Sequence, residues 1–461
     1  MRGDFTRDSF EPANHGRRVL YQQGRVQIDA DFNEQSSILL RYLQTLTTDL
    51  IGRFGGPSAV IDQDGRLIDN DAFKIDGPSP DFTIGGPGHY YVDGLPAEIE
   101  AGSLTYATQP DLKTDGAPEG SFLVYLEVFE RTLAAAQSAA IAEPALEGLD
   151  TAARSRVVWQ VKVTTQTPDG QDLPLVPIDD TAWNDWLEIL DPPGRGLLKA
   201  MAKGTEAKDT GPCIVAPASA FRGQDNQLYR VEIHDGSGAG PEGKAATFKW
   251  SRENGSVIFP IEELGESSDT LTVTVNALGR DRRYGLQPGD WVEITDDDLE
   301  LNGGEVLPLF RVQSIKVDAR QVILKKPVGF AQAVPHPDAS STNHPLLRRW
   351  DGEGTRGIVE SSPAAARSFQ LEDGVQVEFQ QQAAAAYRRG DYWLIPARVI
   401  LGDVIWPIEN GAPKAMAPSG ISRHFAPLAS FNGTFHDLRR RFAHLAPAAA
   451  LAPVRNVRKP K

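Results

Sequence analysis

The chain has 461 residues, 40% hydrophobic and 24% charged, with 43 Gly and 33 Pro; such a length and composition predict roughly two to four globular domains with many turns and short strands. A formal net charge of −15 excludes a general nucleic-acid surface, which needs excess Lys and Arg, and disfavours anionic membranes. The single cysteine, Cys213, excludes an intrachain disulfide and fits synthesis in a reducing compartment.

The N-terminus is charged from Arg2 onward. It lacks the apolar core of a secretory signal, and no apolar run in the chain is long enough to span a bilayer. Cytoplasmic synthesis and assembly without membrane insertion are therefore expected. Residues 1–56 read as a docking arm and a helix. The arm, residues 10–28, is extended and punctuated by glycine; its candidate interface residues are Phe10, Tyr21, Gln23, Gly24, Arg25, Gln27 and Asp29. The helix is expected to begin after Asp31 as N-cap, with Asn33 in its first turn and Glu34 three residues on as in a capping box, and Asp31, Asn33, Glu34, Leu39 and Leu43 are interface candidates along with the arm residues. Leu39, Leu43, Leu46 and Leu50 then form one apolar stripe, and Gly52 and Gly55-Gly56 stop the helix. Such a stripe either packs on its own domain or joins a bundle between subunits.

Residues 57–190 read as a first β-rich domain. Short strands at 82–84, 89–92 and 95–99 are separated by glycine-rich turns, and Asp93-Gly94 is a strong hairpin signal. The run FLVYLEVF (122–129) reads as a buried strand and VVWQVKV (157–163) as another. The Ala-rich stretch 132–145 reads as a short helix or lid-like loop, and 183–190 as a short helix. Residues 191–210 read as a linker. Residues 211–265 read as a hairpin region joining domains, with QLYRVEI (227–233) answered by ATFKW (246–250). Residues 266–330 hold four predicted strands, at 271–275, 290–294, 310–317 and 321–324, spaced as in a small barrel of SH3 or OB type. Residues 331–430 read as a C-terminal β domain, with strands at 369–371, 376–379 and 391–395. QPGDWVEI (287–294) and RRGDYWLI (388–395) share a Gly-Asp turn feeding an aromatic-led strand. Residues 431–461 form a basic Ala/Pro-rich tail in which Arg439, Arg440 and Arg441 are candidate docking residues for an acidic neighbour. The fold class is thus mainly β and multidomain: short-stranded sandwiches and a small barrel, preceded by an arm and an amphipathic helix.

No motif for catalysis stands up. Residues 238–244 have the GxxxxGK spacing of a phosphate loop, but Ala245 replaces the Mg²⁺-binding hydroxyl and a strand, not a helix, follows. Eight scattered histidines and one cysteine spell out no zinc site, and no GxSxG elbow occurs. Asp296-Asp297-Asp298 with Glu300 and Asn302 offers hard oxygen ligands, but Leu301 breaks the EF-hand pattern, and a solvated acidic turn is expected. The polar run Ser251 to Asn254 in WSRENGS reads as a structural network at a turn. No cofactor, metal or enzymatic activity is expected.

The phrases GDFTRDSFEP, YQQGRVQIDADFNEQ, HYYVDGLPAE, FLVYLEVFER, GLDTAARSRVVWQVKV, NQLYRVEIH, TFKWSRENGSV, HPLLRRWDG, LEDGVQVEF, GDYWLIPAR and SGISRHFAPLA run in order through most of the chain. Together they resemble a bacterial family associated with gene clusters for phage-tail-like contractile injection systems. The N-terminal phrase also resembles the start of certain phage virion proteins, in which such an arm leads into a helix. The resemblance implies a structural subunit at or around the baseplate, or of a shell around it. It further implies docking to other tail proteins and a symmetric homo-oligomeric ring, six-fold or a multiple, in a particle released from the cell. The alternatives are a carbohydrate- or receptor-binding fibre module and a particle-borne cell-wall hydrolase.

Overall fold

The computed structural model describes residues 2–61, 64–100, 102–146, 149–203, 220–236, 245–302, 306–337, 343–352, 354, 356–358, 367–380 and 386–443. The protein is mainly β, with 38% strand and 14% helix. It divides into two compact units whose boundaries cut across the expected linear domains. One contains residues 1–35, 132–155 and 193–421; the other contains 36–131, 156–192 and 422–461. The larger sheets are completed by strands from distant parts of the chain, which no linear segmentation anticipates.

The second unit is built on two four-stranded sheets. One runs in the order Arg441–Phe442, Phe54–Pro57, Gly88–Val92, Leu95–Ile99. The expected Asp93-Gly94 hairpin joins the last two: Val92 faces Leu95, and both turn residues adopt positive φ, as a two-residue primed turn requires. The other sheet runs Arg154–Thr164, Phe122–Leu133, Arg423–Phe431, Phe435–Asp437. Phe122–Leu133 is central, which explains its nearly unbroken apolar run. Its most deeply buried charge, Glu127, is paired with Lys162 at 2.7 Å and with Arg423. The helix Asp180–Leu190 is capped by Asp179, which accepts from the Ala182 amide at 2.8 Å, and buries Trp183 and Trp186 in the same core.

In the first unit, a three-stranded sheet (Leu197–Ala202, Val375–Gln380, Phe369–Gln370) shares a core with a five-stranded one. The latter runs Arg356–Gly357, Thr247–Ser251, Gln227–Asp235, Tyr392–Arg398, Asp403–Val404. Leu197–Ala202 falls within the stretch expected to be a linker; it pairs residue for residue with Val375–Gln380. The barrel exists, but it is closed and has six strands: Ile258–Glu266, Thr270–Val275, Gln321–Lys325, Phe310–Lys316, Trp291–Thr295 and Leu346–Trp350. Its first strand begins before residue 266 and its last lies after residue 330, so the expected boundaries were too narrow at both ends. The two Gly-Asp phrases do not mark a repeated hairpin. One feeds a barrel strand and the other a strand of the open five-stranded sheet. Between the end of Phe122–Leu133 and the short strand Ala142–Glu143, the Ala-rich stretch makes 3-10 turns at Ala135–Gln137 and Ala139–Ile141.

Candidate functional site: an anchored arm and an exposed helix

The helix expected to start after Asp31 spans Asp29–Ile51. Its start is earlier because the arm folds back on it. The Asp29 carboxylate accepts from the Thr6 amide at 2.8 Å and from the Thr6 hydroxyl. Asp31 lies inside the first turn, and Glu34 does not close a capping box with it: Glu34 accepts from the Ser9 hydroxyl at 2.6 Å. Gln35 accepts from the Val19 amide at 2.9 Å, and the Tyr21 and Phe32 rings meet at 5.0 Å. Between these ties the arm is open. Phe10 is half-buried; Tyr21, Gln23, Gly24, Arg25, Gln27 and Asn33 are exposed.

Ahead of the arm, Arg2, Gly3 and Thr6 are held by bonds to the five-stranded sheet, the barrel and the loops beside them. Arg2 enters a buried charge cluster between the five-stranded sheet and the barrel. Its Nη2 donates to Glu232 Oε1 at 2.8 Å and its Nη1 to Glu300 Oε1 at 2.7 Å. Glu232 also accepts from Arg230 Nε at 2.6 Å and lies 3.3 Å from Lys249 Nζ. Lys249 reaches Glu293 at 2.6 Å, Trp350 Nε1 donates to Glu293 at 2.9 Å, and Arg348 reaches Glu300 at 2.7 Å. The Gly3 carbonyl accepts from Asn254 Nδ2 at 3.0 Å, and Arg398 donates to the Thr6 carbonyl at 2.8 Å.

The cluster's electrostatics follow from burial and pairing. Burial alone would raise the Glu232 carboxyl, but Arg2, Arg230 and Lys249 hold it well below the usual range. Burial opposes the Glu293 charge as well, yet Lys249 and Arg2 bring it down to about 2. His234, on the same strand as Glu232, is pushed down to about 4 by burial and then by Lys249. Arg2 itself loses by desolvation and gains more from Glu232, Glu300 and Glu293, so its pKa is raised. WSRENGS contributes as expected of a structural turn: Asn254 holds Gly3, and Glu253 accepts from Arg283 at 2.6 Å.

The cluster was missed because each charge was read singly. Its signal lies in RVE, FKW, WVEI and LLRRW, where charges sit among apolar strand residues. The acidic turn at Asp296 belongs to the same region. It is the helix Asp297–Asn302, and its carboxylates meet His344 at 2.8 Å, Asn343 at 2.5 Å and, through Glu300, Arg2 and Arg348. Among the described residues, no group of three or more His, Cys, Asp or Glu is placed to hold a metal.

Residues 36–51 of the helix belong to the second unit. Ile38 is buried there, and the Gln44 backbone lies so close to Gly94 that a β-carbon on Gly94 would sit 2.5 Å from the Gln44 carbonyl oxygen. The leucine stripe does not face that way. Leu39, Leu43, Leu46 and Leu50 are 54%, 48%, 41% and 77% exposed, and Leu40 and Tyr42 beside them are exposed too.

Arg439, Arg440 and Arg441 differ from the expected docking tail. Arg439 is buried, donating to Asp437 at 2.8 Å and to the Ala72 carbonyl at 2.8 Å. Arg440 donates to the Ile178 carbonyl at 2.7 Å, pairs with Asp180 and lies over the Phe54 ring. Arg441 bonds Asp69 at 2.7 Å. All three bind within their own unit, because Arg441–Phe442 is a strand of its sheet and not free chain. The remaining basic residues of the tail, Arg455, Arg458, Lys459 and Lys461, lie outside the described residues, as does the phosphate-loop match at 238–244.

No curated protein and no solved structure is significantly similar to this chain. A family model covers almost all of it, matching residues 1–191 and 193–455, and the chain therefore belongs to the family of unknown function DUF6519.

Proposed function

We propose that the protein is a structural subunit of a contractile, phage-tail-like injection particle, at or around its baseplate, and that it acts by protein–protein docking. The observation that carries docking is the apolar face of the helix, where Leu39, Leu40, Tyr42, Leu43, Leu46 and Leu50 lie open to solvent on one element. A contiguous apolar patch of this kind is costly to leave in water and marks an interaction surface. The exposed middle of the arm adds Leu20, Tyr21 and Val26. The particle assignment rests on the resemblance of the N-terminal phrase to virion proteins and of the later phrases to a family associated with such gene clusters. A symmetric ring, six-fold or a multiple, is the assembly expected of that location.

In this mechanism residues 2–9 do not cross to a neighbour. They fasten the arm in place through Arg2, Gly3 and Thr6. The docking elements are then the middle of the arm and the leucine face, presented without the entropy cost of ordering a free segment. A Leu43→Asp variant tests this. It should fold normally, because Leu43 is exposed, and should be missing from particles purified from cells expressing it. Normal incorporation of that variant would refute docking through the helix. Particles that assemble complete without the protein would refute the structural role, and turnover of peptidoglycan or a glycan by the purified chain would replace it with an enzymatic one.

A further inference from the structure

We infer that the leucine face of the helix pairs with the same face of a second copy of this chain, in an antiparallel two-fold arrangement. The inference rests on the docking reading and names the partner of that face.

Leu39, Leu43, Leu46 and Leu50 are spaced four, three and four residues apart. That is the alternation of the two seam positions of a coiled coil, carried along the helix from Leu39 to Leu50. At about 100° per residue the four leucines fall on one narrow stripe. Ile38 and Gln44, which the helix turns toward its own unit, project from the opposite side. The helix is thus held from behind, and its seam is left unfilled. A single-domain amphipathic helix would show the reverse, with its leucines inward.

The flanks of the seam favour a copy of itself. The positions beside it are Leu40, Tyr42, Thr47 and Asp49. One charge in four leaves little to steer a basic or acidic partner, and little to repel an identical one. The spacing four–three–four also reads the same in both directions. An antiparallel copy therefore sets Leu39 against Leu50 of the second copy and Leu43 against its Leu46. The two Asp49 side chains then lie at opposite ends of the contact, and the helix dipoles oppose. This is the self-complementary patch of a two-fold interface. The area is adequate: the six exposed apolar side chains present on the order of 600 Å² per copy, against about 800 Å² per partner in a standard interface. Because the helix is already formed, little folding cost is charged to association.

Sedimentation and light scattering of the purified full chain over a range of concentrations test the inference. The wild-type chain should self-associate. Leu43→Asp and Leu46→Asp should each weaken association on the order of a hundredfold or more, with unchanged circular dichroism and melting. Ile400→Asp, at a residue exposed elsewhere, should leave association unchanged. In a Cys213→Ser background, mixing Leu43→Cys with Leu46→Cys chains should give the mixed disulfide in preference to either homodisulfide. A wild-type chain that stays monomeric at about 100 μM, well above the micromolar range of ordinary association, overturns the inference. So do leucine variants that associate like wild type, or homodisulfides that dominate. If the wild type is monomeric and Leu43→Asp still fails to enter particles, the face docks on a different protein: docking stands and self-pairing falls.

Discussion

Arg2→Ala should destabilise the first unit by about 2 kcal/mol and release the arm. The substitution removes two short charge-assisted bonds, to Glu232 at 2.8 Å and Glu300 at 2.7 Å. Bonds of this kind contribute about 1.5–3 kcal/mol each, so the gross loss is about 3–6 kcal/mol. Three features of the site reduce it. Glu232 keeps Arg230 and Lys249, and Glu300 keeps Arg348. Arg2 also repels Arg230 and Arg348, which its removal relieves. Finally, the Arg2 side chain is 24% exposed, so its charge is partly solvated in the native state. Urea unfolding followed by tryptophan fluorescence measures the loss, since Trp250 and Trp350 lie in this unit. Limited trypsinolysis measures the release, as cleavage after Arg7 should accelerate in the variant. Arg2→Lys should fall between, because an ammonium keeps the charge and loses the fork that spans both carboxylates. Unfolding within about 0.5 kcal/mol of wild type, the scatter of a neutral surface change, together with unaltered cleavage would refute the anchoring role.

Further outcomes follow from the charge cluster and from two sites in the second unit. His234 has its pKa pushed down to about 4 from 6.5 by burial and Lys249, so the unfolded chain binds the extra proton first. Stability should fall as pH drops from about 6.5 to about 4, by on the order of 2–3 kcal/mol, and a His234→Gln variant should flatten that part of the urea-versus-pH curve. Glu293 and Glu232, held low by their cations, should add a further loss as pH falls through about 4.5 toward 2. Gly94→Ala should cost about 2 kcal/mol or more in thermal or urea unfolding, since φ is +81° and the new β-carbon meets the Gln44 carbonyl; a neutral result would mean the helix is not seated on that hairpin. Arg439→Ala should cost about 2–3 kcal/mol by leaving the Ala72 carbonyl without its donor, and a melting curve identical to wild type would return this arginine to a docking role.

Local chemistry made much of the fold legible. Asp-Gly set a two-residue turn at Asp93-Gly94 whatever surrounded it, because only a few residues tolerate those dihedrals. Alternating or continuous apolar runs marked Gln227–Asp235, Thr270–Val275 and Phe122–Leu133 as strands. The leucine stripe was equally plain in the helix, as was the stretch of arm before it. Tertiary structure decided everything that depends on residues far apart. Leu197–Ala202 became a strand because Val375–Gln380 offered it an edge, and two distant segments closed the barrel. The same long-range pairing drew Arg439 to Arg441 into a sheet and turned Arg2 into an anchor, since a charge's role depends on which opposite charges share its burial. Spacing alone left the leucine stripe able to face its own domain or a neighbour. The burial of Ile38 and the close approach of Gln44 to Gly94 settled its direction outward, because a helix fixed from behind has only its far side left to bind with.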